Sequence, residues 1–173
     1  DHFDIAAVGP MARSAHDLAL AMDVLAPSLS VWTPMGRVPV AWRDPGTAPR
    51  QCRVAVLYDD AQAEVDAAVQ QGLRDLVGFL RSEGVQVTED ARPVDSAEAN
   101  DVYTHLLRAA TGSHYDDASY AAAQARAAQY GPQDQHYAAR HFRGNTYSHR
   151  DWVQTDARRA RLQHQWAAFF ERF

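Results

Sequence analysis

Apolar positions in this chain recur at helical spacing in several long stretches and cluster into short runs in two others. Between Ser14 and Pro27 the apolar residues are Leu18, Ala21, Met22 and Leu25, the spacing of one helix face. Ser14 followed by Asp17 has capping-box spacing, a Gly9-Pro10 turn precedes it, and Pro27 predicts the stop. The run "RVAVLYDD" is too short and too apolar for a surface helix, and it predicts a strand over Val54–Tyr58 buried on both faces. A helix over 62–83 follows, with Asp59 or Asp60 as its cap and an apolar face of Val65, Val69, Leu73, Leu76, Val77 and Leu80. Gly84 stands where a helix C-terminal glycine belongs, and Val85 and Val87 alternate in a second strand, Val85–Glu89. Strand, helix and strand in this order predict a β-α-β unit with parallel strands and a right-handed crossover.

Beyond Pro93 the periodicity is helical throughout. Asp95 and Glu98 open a helix whose apolar face is Val102, Leu106 and Ala110, with Tyr103 beside it. An Ala-rich helix, capped by Asp116 or Asp117, ends at Gly131-Pro132. Ser148, with Asp151 three residues on, starts a long helix bearing Trp152, Leu162, Trp166, Phe169 and Phe170. The stretch between the first helix and the first strand carries Pro34, Pro39, Pro45 and Pro49 with Gly36 and Gly46, which predicts an extended connection without regular structure. The resulting fold class is α/β: a β-α-β unit with parallel strands plus several helices. One domain is expected over 1–173, divided into a turn and helix (1–30), a Pro-rich connection (31–52), strand-helix-strand (53–90), a helical insertion (91–147) and a long C-terminal helix (148–173).

Composition narrows the chemistry. A net charge of −5 gives no bulk attraction to nucleic acid or to an anionic membrane, and no apolar run reaches membrane-spanning length. Cys52 is the single cysteine, which excludes an internal disulfide and leans toward a reducing, cytoplasmic compartment. All 17 basic residues are arginine, so no lysine is available as a base. The eight histidines include His136 and His141, five apart and off a common helix face, and no metal site is expected. Ser113 beside His114 reads as a loop cap, because catalytic partners meet in space rather than in sequence. Cys52 reads as a structural thiol, the Arg158, Arg159 and Arg161 cluster as a solvated ion-paired face, and the C-terminal aromatics as a packing stripe.

The stretch "GPMARSAHDLALAMDVLA" resembles a segment that amidase signature enzymes carry downstream of their catalytic serines. Gly9, Pro10, Met11, Ala12, Arg13 and Ser14 match its opening, and Asp17, Leu18, Ala19, Asp23, Val24 and Leu25 match its continuation. The Pro-rich connection, the "RVAVLYDD" strand, the "AEVDAAV" helix start and the "GVQVTE" strand follow in the family's order, and "WVQTDARRARLQHQWAAFFERF" resembles its long helix. His16 and Pro27 depart from the pattern, and 95–147 carries no matching motif.

The resemblance implies an α/β/α sandwich of which this chain is an interior-to-late segment. It implies hydrolysis of a carboxamide through a serine acyl-enzyme, with a small-molecule amide as substrate and no cofactor. The Ser-Ser-Lys triad is expected outside these residues, so none of them is assigned a catalytic role. It also implies that helices following the second strand wall the substrate channel, which makes Tyr103, Leu106, Leu107 and Ala110 pocket-wall candidates; packing against the sheet explains the same residues. The A subunit of a tRNA-dependent amidotransferase and a non-catalytic binding module of the same fold stand as alternatives. Open sheet edges beside Val54, Val56, Val85 and Val87 raise the prospect of self-association.

Overall fold

A computed structural model describes residues 9–26, 30–33, 36–39, 46 and 48–173, in two compact units, 1–47 and 48–173. In the first unit, α1 (Ala15–Leu25) begins where the sequence places it: Ser14 Oγ accepts from the Asp17 amide at 3.1 Å. Pro27, Pro34 and Pro45 lie outside the described residues. The Pro-rich stretch is not the unstructured connection that its prolines predict. Ser30–Thr33 (β1) and Gly36–Pro39 (β2) pair antiparallel, with Thr33 opposite Gly36. Pro39 sits at the end of its strand, where a missing amide costs the ladder little.

The second unit opens with a 3-10 turn at Pro49–Gln51 and then β3 (Arg53–Val56), α2 (Ala67–Ser82) and β4 (Gln86–Glu89). The strands pair in parallel, Val54 opposite Val87 and Val56 opposite Glu89, which is the expected β-α-β unit. Gly84, at φ +81°, reverses the chain after α2 with bonds from Gly84 N to Arg81 O and from Val85 N to Leu80 O. Val77 and Val85 are buried where α2 meets β4. The strands themselves are only half-buried, less than their apolar run predicts, because among the described residues this sheet has two strands. Val69 and Leu76, expected on the buried face of α2, are half exposed for the same reason.

The helix start requires a correction. Neither Asp59 nor Asp60 caps α2; Asp66 does, its carboxylate accepting from the Ala68 amide at 2.7 Å. Asp60 instead closes its own turn on Gln62 N (2.8 Å), while its other oxygen takes Ser96 Oγ (2.5 Å) and Arg92 Nη1 (2.7 Å). Those bonds hold its carboxyl below the usual value, Ser96 contributing most, and tie the end of β3 to the start of α3. Cys52 is exposed rather than a buried structural thiol, since it precedes the strand instead of entering it.

Four helices complete the unit: α3 (Ser96–Gly112), α4 (Asp117–Ala127), α5 (Tyr137–Asn145) and α6 (His149–Phe170). Asp95, Asp116 and Ser148 cap α3, α4 and α6 as their spacing predicts. Helix α5 falls inside the expected helical insertion (91–147) but is not one of the helices that caps and periodicity predict. It docks on α3 through small residues, buried Ala139 and Gly144, and its cap is His136, an uncommon choice that hides its start. The α3–α5 approach is so close that a Cβ on Gly112 would meet Asn145 O at 2.5 Å, and one on Gly144 would meet Arg108 Cβ at 2.6 Å. Val102, Leu106, Ala123, Ala139 and Leu162 form the apolar core of this lobe. At the end of α6, Trp166, Phe169, Phe170 and Phe173 stack on one another and border an apolar hollow of about 270 Å³ beside Ala55, Leu57 and Pro93.

Candidate functional site

A cleft of about 440 Å³ opens where α3, the end of α5 and the first turns of α6 converge. Helical periodicity builds it: Asp101 and His105 lie four apart on α3, and Asp151, Gln154 and Thr155 share one face of α6. The Thr146-Tyr147 turn between α5 and α6 supplies the floor, and Gln135 and Arg143 the rim. Arg143 fixes that rim by donating to the carbonyls of Pro132, Asp134 and Ala139.

His105 is the centre of the site. Only 7% of it is exposed, and its ring lies flat on Tyr147, with centroids 5.0 Å apart and planes within 6°. Nδ1 stands 2.9 Å from the Asp101 carbonyl oxygen and 3.2 Å from Asp101 Oδ1. Behind that pair, Arg158 reaches from α6 to donate to Asp101 Oδ2 at 2.8 Å and to Glu98 Oε1 at 3.4 Å. The imidazole N–H first, and then the guanidinium, hold the Asp101 carboxyl down at about 2, so it is ionised at any physiological pH. Burial pushes the Tyr147 hydroxyl above its usual value, so it remains protonated. A fixed histidine backed by an ionised carboxylate, on the wall of a polar cleft, can exchange a hydrogen bond with a ligand at its second nitrogen.

Other expected residues fall elsewhere. Tyr103 is 53% exposed on α3, Leu106 is buried in the lobe, and Leu107 and Ala110 are half-buried; none of the four lines this cleft. They occupy one stripe of α3, while Asp101 and His105 occupy another. The one local signal is the Asp101-His105 pair at four-residue spacing on α3; its partner Arg158 is brought in only by packing. Ser113 ends α3, and its hydroxyl donates to Ala110 O at 2.7 Å, so the loop-cap reading of Ser113 agrees with the structure. Arg158 and Arg159 are ion-paired, Arg159 with Asp156 at 2.6 Å. The motif residues Gly9 to Ser14 belong to the first unit, where Ser14 has the capping role and Met11 is exposed. Among the described residues no group of three or more potential ligands could hold a metal ion, and no helix is long and apolar enough to cross a membrane.

Comparison with curated proteins and with solved structures yields no match. The amidase family model, in contrast, matches residues 3–173, nearly the whole chain. An ordered series of motifs, a parallel β-α-β unit and that match lead to one conclusion: the chain belongs to the amidase family.

Proposed function

We propose that these residues are part of a cytoplasmic amidase that hydrolyses the C–N bond of a small carboxamide through a serine acyl-enzyme. The family match over 3–173 carries the reading. In it, a serine hydroxyl adds to the substrate carbonyl, the amine departs with a proton, and water then releases the acid from the acyl-serine. The base in this family is a lysine, and the sequence contains none, so the triad lies outside these residues. Ser113 offers no substitute, since its hydroxyl is engaged by its own helix. This segment then contributes the β-α-β unit to the α/β/α sandwich and its helices to the substrate wall, with Tyr103, Leu107 and Ala110 as channel residues and Leu106 packed in the core behind them.

The test is a panel of chromogenic anilides and esters assayed with the purified chain and with the parent that includes the upstream coding region. The parent is expected to turn over at least one of them, and the chain alone none above background. Turnover by the chain that survives purification and disappears in Ser113→Ala overturns the assignment. An upstream region without a lysine and a Gly-Ser-Ser stretch does so as well.

A further inference from the structure

The two ring nitrogens of His105 stand in different situations. Nδ1 faces the Asp101 carbonyl oxygen at 2.9 Å and Asp101 Oδ1 at 3.2 Å, both acceptors, so it carries the proton. In the neutral imidazole Nε2 is then a hydrogen-bond acceptor. Among the described residues Nε2 has no hydrogen-bond partner and is not sealed from solvent, and His105 lines the cleft. The ring cannot readily exchange its nitrogens, because Tyr147 is stacked flat against it and Nδ1 is anchored.

The surroundings favour a neutral ligand. Two carboxylates, Asp101 and Asp151, are balanced by two guanidiniums, Arg158 behind the wall and Arg143 on the rim. Arg143 spends its donors on the backbone carbonyls of Pro132, Asp134 and Ala139, so it is not arranged as an anion clamp. The remaining wall is neutral and polar, from Gln135, Thr146, Gln154 and Thr155. At about 440 Å³ the cleft lies within the range that holds small ligands.

We propose that the cleft between α3, α5 and α6 is a binding site for a small neutral molecule that presents a hydrogen-bond donor to His105 Nε2. His105 reads the donor, and Asp101 keeps the ring in the tautomer that can accept it. Binding at this site does not require amide cleavage and stands apart from the proposed hydrolysis.

Benzamide is the probe, with N,N-dimethylbenzamide (no N–H) and benzoate (no donor, charged) as comparisons. The unmodified 173-residue chain, carrying carbon-13 in its histidine rings, is titrated with each and followed by NMR. Benzamide is expected to shift the His105 ring resonances saturably in the millimolar range, with both comparison compounds about tenfold weaker, the value of one neutral hydrogen bond. His105→Phe, which keeps a ring on Tyr147, is expected to lose about the same factor for benzamide by calorimetry while retaining the circular dichroism of the parent. Equal binding of benzamide and its dimethyl derivative overturns the proposal, as does a failure of benzamide to move His105. Undiminished benzamide affinity in a folded His105→Phe chain also overturns it. If that variant does not fold, the ligand comparison on the unmodified chain decides alone.

Discussion

Replacing Asp101 with asparagine removes one charge while keeping the size of the side chain and a carbonyl oxygen toward His105. In the folded chain the Asp101 carboxyl is lowered from 3.8 to about 2, and 24% of its side chain is exposed, so solvent screens it only in part. At about 1.4 kcal/mol per pKa unit, the ionised form contributes ~2 kcal/mol to stability at neutral pH. The sign follows from the direction of the shift. A carboxyl whose folded value is depressed stabilises fully above its unfolded value, near 4, and the contribution is lost as pH falls through the folded value, about 2. Asp101→Asn should therefore lower the unfolding free energy by ~2 kcal/mol near neutrality, and roughly half of that deficit should be gone by about pH 3. Urea unfolding followed by Trp152 and Trp166 fluorescence, at matched denaturant slopes, measures both quantities. A deficit that stays constant from neutral to acid pH refutes the reasoning, because it would show that the charge on Asp101, held by His105 and then by Arg158, is not what stabilises the folded chain.

The glycines of the helices should divide by their surroundings. Gly112→Ala and Gly144→Ala force α3 and α5 apart and should each cost about 1–3 kcal/mol in thermal unfolding, whereas Gly72→Ala and Gly78→Ala, with nothing within 4 Å, should each gain roughly 0.5–1 kcal/mol. Asp66→Ala should cost about 1 kcal/mol as the cap of α2, and Asp59→Ala much less, in the same assay. Self-association through the open edges of the β3–β4 sheet should make the light-scattering mass rise with concentration, and a mass that stays at the monomer value would count against it.

What the sequence determined by itself is local. Ser14, Asp95, Asp116 and Ser148 set helix starts because a cap is an interaction between a side chain and an amide two or three residues away. Gly84 ends α2 because only a residue free to adopt positive φ makes that turn without strain, and the apolar run followed by an amphipathic helix and a second strand admits one handedness of crossover. The family, too, was legible, because its motifs are contiguous in the chain. Tertiary structure decided the rest. Asp60 lost its expected role to Arg92 and Ser96, thirty-odd residues away, whose bonds no local pattern announces. Helix α5 takes its place on α3 because Ala139 and Gly144 allow backbones to touch, and its His136 cap gives no ordinary start signal. The cleft follows from both: Asp101 and His105 are neighbours by helix geometry, but Tyr147 covers the ring and Arg158 neutralises the acid only once α5 and α6 have packed on α3. A site assembled from three helices has no sequence pattern of its own, since its distances are set by packing rather than by the spacing of residues along the chain.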